Sequence, residues 1–354
     1  HPAVVWRPRT EVMRHMLAGE NLGLMTCRQL SQLSWQHALV SNGITDDCMV
    51  SNRTRERGYL FPLYLYPTES EIKAGTGVAR SRIIKEAQKA LEKTIETKDL
   101  TKEQNRIEGL IKRLFPQEYY PRWPNLNPDF IDDVSQSLGL QFVPDGHGDL
   151  KETFGPEDVF HYIYAILHSP TYRERYKEFL RIDFPRIPLT SDLELFETLC
   201  QKGADLVALH LLEPNYGAAS WNRDKTQPNP FHTVNVRYPV PGDDVVEKGH
   251  PKYVPPGERA PGSRELLEEG RVYISTEKQG QRGQYFEGVP PEVWEFHVGG
   301  YQVCKKWLKD RRGRKLSHDD KEHYKKIVMA LGETIRLMRE IDEVIEQHSG
   351  WPIQ

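Results

Sequence analysis

Seven cations stand within eleven residues: Lys305, Lys306, Lys309, Arg311, Arg312, Arg314 and Lys315, against the single anion Asp310. Ammonium and guanidinium groups at this density neutralise phosphates and release their counterions, so the chemistry on offer is contact with a polyanion. Trp307 and Leu308 lie between them. Ser317, three residues ahead of Asp320, has the spacing of a helix N-cap. The plain alternative for a lone run of this kind is a solvated surface loop.

Two further stretches carry groups suited to base edges. In 277–288, Gln279, Gln281, Arg282 and Gln284 are interspersed with glycines. In 215–230, Asn222 and Arg223 follow Tyr216 and Trp221. Gln and Asn pair with adenine, and Arg with guanine, through two hydrogen bonds in the major groove. The expectation places the seven cations on DNA phosphates and these six side chains on bases. For any one of the six, a polar hairpin tip is an equally good reading.

No catalytic constellation is found. Asn127-Pro128-Asp129-Phe130 comes near the Asn-Pro-Pro-Tyr/Phe signature of amino-methyltransferases, but its second proline is Asp and a helical pattern follows, so it reads as a helix start. There is no phosphate-binding Gly-x-x-x-x-Gly-Lys-Ser/Thr loop and no dinucleotide fingerprint. His318 and His323, five residues apart, fall on different helix faces, so no metal site is assigned. Cys200, ten helical residues from His210, reads as core packing.

Composition sets limits on these readings. The 354 residues carry a net charge of −3, so any affinity for nucleic acid must come from local patches. Four scattered cysteines without a Cys-x-x-Cys pair indicate reduced thiols and a cytoplasmic protein. No apolar run reaches the roughly 18 residues that would span a membrane. Starting at His1 without a methionine, the chain reads as a piece of a longer polypeptide.

The elements that must position these groups follow from periodicity. Strand signals occur in 22–29, 37–46 and 57–67, with a turn at Asn42-Gly43. Residues 68–120 are polar and helix-prone, with Ile83, Ile84, Ala87, Leu91 and Ile95 at helical spacing. Pro156 suits a first helical position, and Val159, Phe160, Ile163, Ile166 and Leu167 form a stripe behind it. Ser191 with Glu194 reads as a capping box for a helix to about Leu212. Further strands are expected in 231–240, 270–276, 283–289 and 292–300, where Trp294, Phe296 and Val298 share a face ahead of Gly299-Gly300. A final helix buries Ile327, Val328, Leu331, Ile335, Met338, Ile341 and Ile345 and has an acidic second half (Glu340, Asp342, Glu343, Glu346). The fold class is α+β: a helical spacer and helical core packed against a small, mostly antiparallel β-sheet, closed by the long C-terminal helix.

The phrases VGGYQVCKKWLKDRRGRKLS, HYKKIVMALGETIRLMREIDEVI and YAILHSPTYRERYKEFLRIDFPRIPL resemble the C-terminal target-recognition (specificity) region of Type ISP restriction–modification enzymes. Those enzymes join nuclease, translocase, adenine methyltransferase and recognition parts in one polypeptide. The resemblance implies that 1–67 is the tail of the methyltransferase domain, 68–120 a helical spacer and 121–354 the DNA target-recognition domain. No Arg-Pro-Phe-Asp element precedes 1–67, which leaves that first boundary open. The resemblance further implies sequence-specific recognition of double-stranded DNA and contact with other domains of the same polypeptide, with no membrane partner. S-adenosylmethionine, ATP and Mg²⁺ would serve other parts, and none would bind here. The competing function is a protein-interaction scaffold using the charged helices.

Overall fold

A computed structural model describes residues 9–31, 35–46, 56–92, 100–212, 234–276, 283–348 and 350–353. The chain builds two buried cores joined by one helix. The first begins with an antiparallel sheet of β1 (Gly23–Cys27) flanked by β2 (Leu39–Ser41) and β3 (Gly58–Pro62). Against it pack α1 (Leu100–Leu114), α2 (Pro128–Leu138), α3 (Pro156–His168) and α4 (Leu193–His210). The second core is formed by a sheet of β4 (Lys252–Val254), β5 (Arg271–Tyr273) and β6 (Tyr285–Glu287), again antiparallel, with α5 (Pro291–Trp294). Next come the hairpin β7 (His297–Val298) and β8 (Tyr301–Gln302), α6 (Val303–Lys309) and α7 (His318–His348). The α+β expectation is met.

Local chemistry explains the main elements. Pro128 opens α2 while the Asn127 side chain accepts the Asp129 amide at 2.9 Å, so Asn127 caps a helix. Pro156 opens α3, most of whose residues are buried, as its stripe requires. The cap of α4 is Asp192, which accepts from the Leu195 amide at 3.1 Å, one residue later than the expected Ser191. Asp at this position adds a negative charge beside the positive end of the helix.

α7 runs 31 residues, about 45 Å, and serves both cores. Tyr324 and Val328 are fully buried in the second core, and Leu337, Ile341 and Ile345 in the first. Leu337, absent from the expected stripe, lies at its centre, while Ile327, Ile335 and Met338 are only half-buried. Part of the acidic second half is used internally. Glu340 pairs with Lys202 at 2.7 Å, and Asp342 accepts from the Thr171 amide and hydroxyl at 3.0 and 2.7 Å.

The expected boundaries at 67 and 120 do not separate cores. Met25, Tyr64, Ile111, Trp123, Ile131 and Leu199 bury their side chains in one continuous cluster. The second core draws on residues 234–335, while the far half of α7 and Ile353 return to the first.

Two places in the first core carry predictions. α3 and α4 approach so closely that a Cβ on Gly203 would stand 1.9 Å from the His161 carbonyl oxygen. Ala normally stabilises a helix relative to Gly by about 1 kcal/mol. Here Gly203→Ala is expected to destabilise by about 3 kcal/mol, because backbone must move, and a urea midpoint measures it.

At the start of α3, His147 bridges Glu157 at 2.7 Å and Asp158 at 3.3 Å. Burial opposes its charge, but the hydrogen bonds to the two carboxylates outweigh that and raise its pKa to about 9. The stabilisation is full below the ordinary value of about 6.5 and is lost as pH rises through about 9. His147→Ala should therefore flatten the fall in stability on the alkaline side of neutrality, and the imidazole resonances of the unchanged protein should titrate near pH 9.

Candidate nucleic-acid interface

The stretch leading to the cations departs from the expected strand. Pro290 and Pro291 set up a short helix, Pro291 at its first position, which carries Trp294 into the second core. Strand structure is confined to the two-residue arms of the β7–β8 hairpin, which turns at Gly299-Gly300 with Gly299 at a φ of 56°. α6 starts immediately afterwards. Its Cys304 and Leu308 are fully buried, and Lys305 and Lys309, four residues apart, are exposed beside that buried face. The first cations therefore project from a helix rather than a loop.

The turn that follows is pinned from below. The Gly313 amide donates to the Val246 carbonyl at 2.8 Å and the Leu316 amide to the Asp244 carbonyl at 2.7 Å. Asp244 itself is buried, at a φ of 57°. Its carboxylate meets Lys321 at 2.8 Å, the Tyr238 hydroxyl at 3.1 Å and the Gln284 amide nitrogen at 2.9 Å. Burial works against the Asp244 charge, but Lys321, Tyr238 and the Gly242 amide hold its carboxyl below the usual range. Ser317 then caps α7 as expected: its hydroxyl accepts the Asp320 amide at 3.0 Å, and the Asp320 carboxylate accepts the Ser317 amide at 3.0 Å.

The seven cations divide into two kinds. Lys306 pairs with Asp310 and lies 5.3 Å from the Tyr301 ring centre. Arg311 stacks 3.4 Å over Trp307 and reaches Asp320 at 3.3 Å, while Arg314 reaches the same carboxylate at 2.8 Å. Arg312 donates to the His250 carbonyl. Lys305, Lys309 and Lys315 are exposed and have no carboxylate partner among the described residues. Two carboxylates thus offset two of seven positive charges, and the remaining excess faces solvent. A rigid helix and turn presenting this excess can neutralise a series of phosphates.

Gln284 departs from the base-reading expectation. It is 6% exposed, its side-chain oxygen accepts the Asp244 amide at 3.0 Å, and it supports the cationic turn from within. Gln284 directly precedes β6 in a run, 283–286, that is buried throughout, and the glycines around it do not show that in the sequence. Gln279, Gln281, Arg282, Asn222 and Arg223 lie outside the described residues. Asp244 and Lys321, the supports of the turn, were not singled out from sequence; Pro241-Gly242 marks only a turn there.

Among the described residues no group of three or more His, Cys, Asp or Glu could hold a metal ion, and no helix is long and apolar enough to cross a membrane. Cys200 packs in the first core with its thiol against the Asp158 carbonyl at 3.3 Å, and Cys27 and Cys304 are likewise buried.

The fold and site define an α+β scaffold that presents a cationic helix and turn to solvent. The model of the Type ISP C-terminal specificity domain matches residues 1–340, and the chain belongs to that family. Among solved structures, it is similar to the ATP-dependent Type ISP restriction–modification enzyme LlaBIII bound to DNA: 15% identity and a TM-score of 0.49, over 95% of this chain and 16% of that one. It is also similar to a nuclease-deletion mutant of the Type ISP enzyme LlaGI in complex with a DNA substrate mimic, with 17% identity and a TM-score of 0.44, over 95% and 22%. A DrdV–DNA complex gives 17% identity and a TM-score of 0.49, over 94% and 25%. The chain therefore spans about a quarter or less of the length of these proteins. No curated protein matches it.

Proposed function

We infer that this chain is the DNA target-recognition part of a Type ISP restriction–modification enzyme, acting in the cytoplasm and non-catalytic by itself. The observation that carries the reading is the row of exposed lysines on α6 and its turn (Lys305, Lys309 and Lys315), free of carboxylate partners among the described residues and set in a specificity-domain scaffold. These lysines, with Lys306 and the arginines, grip the duplex backbone. Base reading belongs to Gln279, Gln281, Arg282, Asn222 and Arg223. S-adenosylmethionine, ATP and Mg²⁺ serve the methyltransferase and translocase parts of the parent polypeptide.

Duplex binding measured against salt tests the inference. The affinity should fall linearly with log salt, with a slope of about −0.9 per phosphate contacted. If no duplex is retained at about 50 mM salt while a protein co-purifies through the charged helices, the scaffold reading replaces this one.

A further inference from the structure

We propose that the cavity between the two cores is a binding site for a small molecule that joins one anionic group to an apolar body. The cavity measures about 250 Å³, just under the roughly 300–1,000 Å³ typical of drug-sized sites, which suits a ligand of one or two rings. Its walls come from both sides of the molecule: Leu39 and Leu209 from the first core, Phe296 and Leu331 from the second.

One charge enters this apolar space. The Arg173 Nε donates to the Leu167 carbonyl at 2.6 Å, and its guanidinium carbon lies 5.7 Å from the Trp35 ring centre. No carboxylate stands within ion-pair distance of it among the described residues. The nearby Asp342 spends its oxygens on Ser169 and Thr171. His168 and His210 also line the cavity, but burial, reinforced by the Arg173 charge, keeps both well below their ordinary pKa, so they remain neutral. Both ring nitrogens of His210 are committed, to the Tyr164 hydroxyl at 2.7 Å and to Thr334 at 3.0 Å.

A partly exposed guanidinium with no ion-pair partner among the described residues is open to a ligand, and its planar fork matches a carboxylate or phosphate edge. The arrangement therefore selects a ligand whose anionic end meets Arg173 while its apolar body fills the space between Leu209 and Leu331. This inference rests on none of the DNA reading, and its test uses no DNA.

Three probes are compared by calorimetry on the full chain: 1-naphthoate, its neutral isostere 1-naphthamide, and inorganic phosphate. Naphthoate is expected to bind with one-to-one stoichiometry, and the amide and phosphate at least roughly tenfold more weakly. Arg173→Gln should remove at least roughly tenfold of naphthoate binding. Because that variant also loses the bond to Leu167, Val298→Trp, on the partly exposed hairpin at the cavity wall, gives a second route by filling the space. Naphthamide or phosphate binding as tightly as naphthoate, naphthoate binding undiminished in the Val298 variant, or no saturable naphthoate binding would each overturn the proposal.

Discussion

Replacing Lys305, Lys309 and Lys315 together by alanine is expected to weaken duplex binding by a factor of several hundred at about 0.1 M salt, and to make the salt dependence shallower by about 3 units of slope. Each lysine that neutralises a phosphate contributes about 0.9 to that slope, hence close to a factor of ten at this salt. All three side chains are exposed and free of carboxylate partners among the described residues, so folding should be unchanged within about 0.5 kcal/mol. The arginines make poorer probes. Removing Arg311 also removes its stack on Trp307, and removing either Arg311 or Arg314 alters the surroundings of Asp320, which caps α7. If the triple variant keeps both affinity and slope, α6 and its turn do not face DNA.

Asp244→Asn should reduce both stability and DNA binding although the residue contacts no solvent-facing cation of the turn. Asparagine tolerates the left-handed backbone that Asp244 adopts and keeps a side chain of the same shape. What it removes is the charge opposite Lys321, where the two side chains are 11% and 17% exposed. Leaving that ammonium unpaired should cost about 2–3 kcal/mol, toward the low end for a buried pair because Lys321 is not fully enclosed. The loss should show as a lower urea midpoint at unchanged m-value. DNA binding should fall along with it, since the Leu316 amide is held by the Asp244 carbonyl and Lys321 anchors the first turns of α7. Unchanged stability would mean that the turn is held by Val246 and His250 alone.

Periodicity and caps reach far in this sequence, because they record forces that act within one element. The apolar stripe behind Pro156, the Asn127 cap and the Ser317–Asp320 box each satisfy local hydrogen bonds or a single face, and the structure has them where spacing puts them. The density of cations in 305–315 was equally legible. Their partners were not. Asp320 takes two arginines because the turn folds back over the start of α7, and Asp244 supports the turn from across the second core. Both are tertiary facts without a sequence period.

The failed strand at 292–300 has a similar origin. Alternation of Trp294, Phe296 and Val298 suits a strand, but two prolines ahead of it fix a helical turn, and burial of Trp294 in the second core agrees with that choice. Gln284 has the side chain of a base reader because Gln can read adenine, and only its bonds to Asp244, forty residues away, show that it is held inside. The cavity at Arg173 was invisible for the same reason, since its walls come from segments more than a hundred residues apart.

The central claim is that the exposed face of α6 lies against duplex DNA. The most direct measurement places a photo-crosslinking side chain at Lys309 and, separately, at Glu343, an exposed position about 38 Å along α7 from its start. Irradiation with duplex DNA should yield a protein–DNA adduct from position 309 and none from position 343. Adducts from both positions alike, or from 343 alone, would contradict the account.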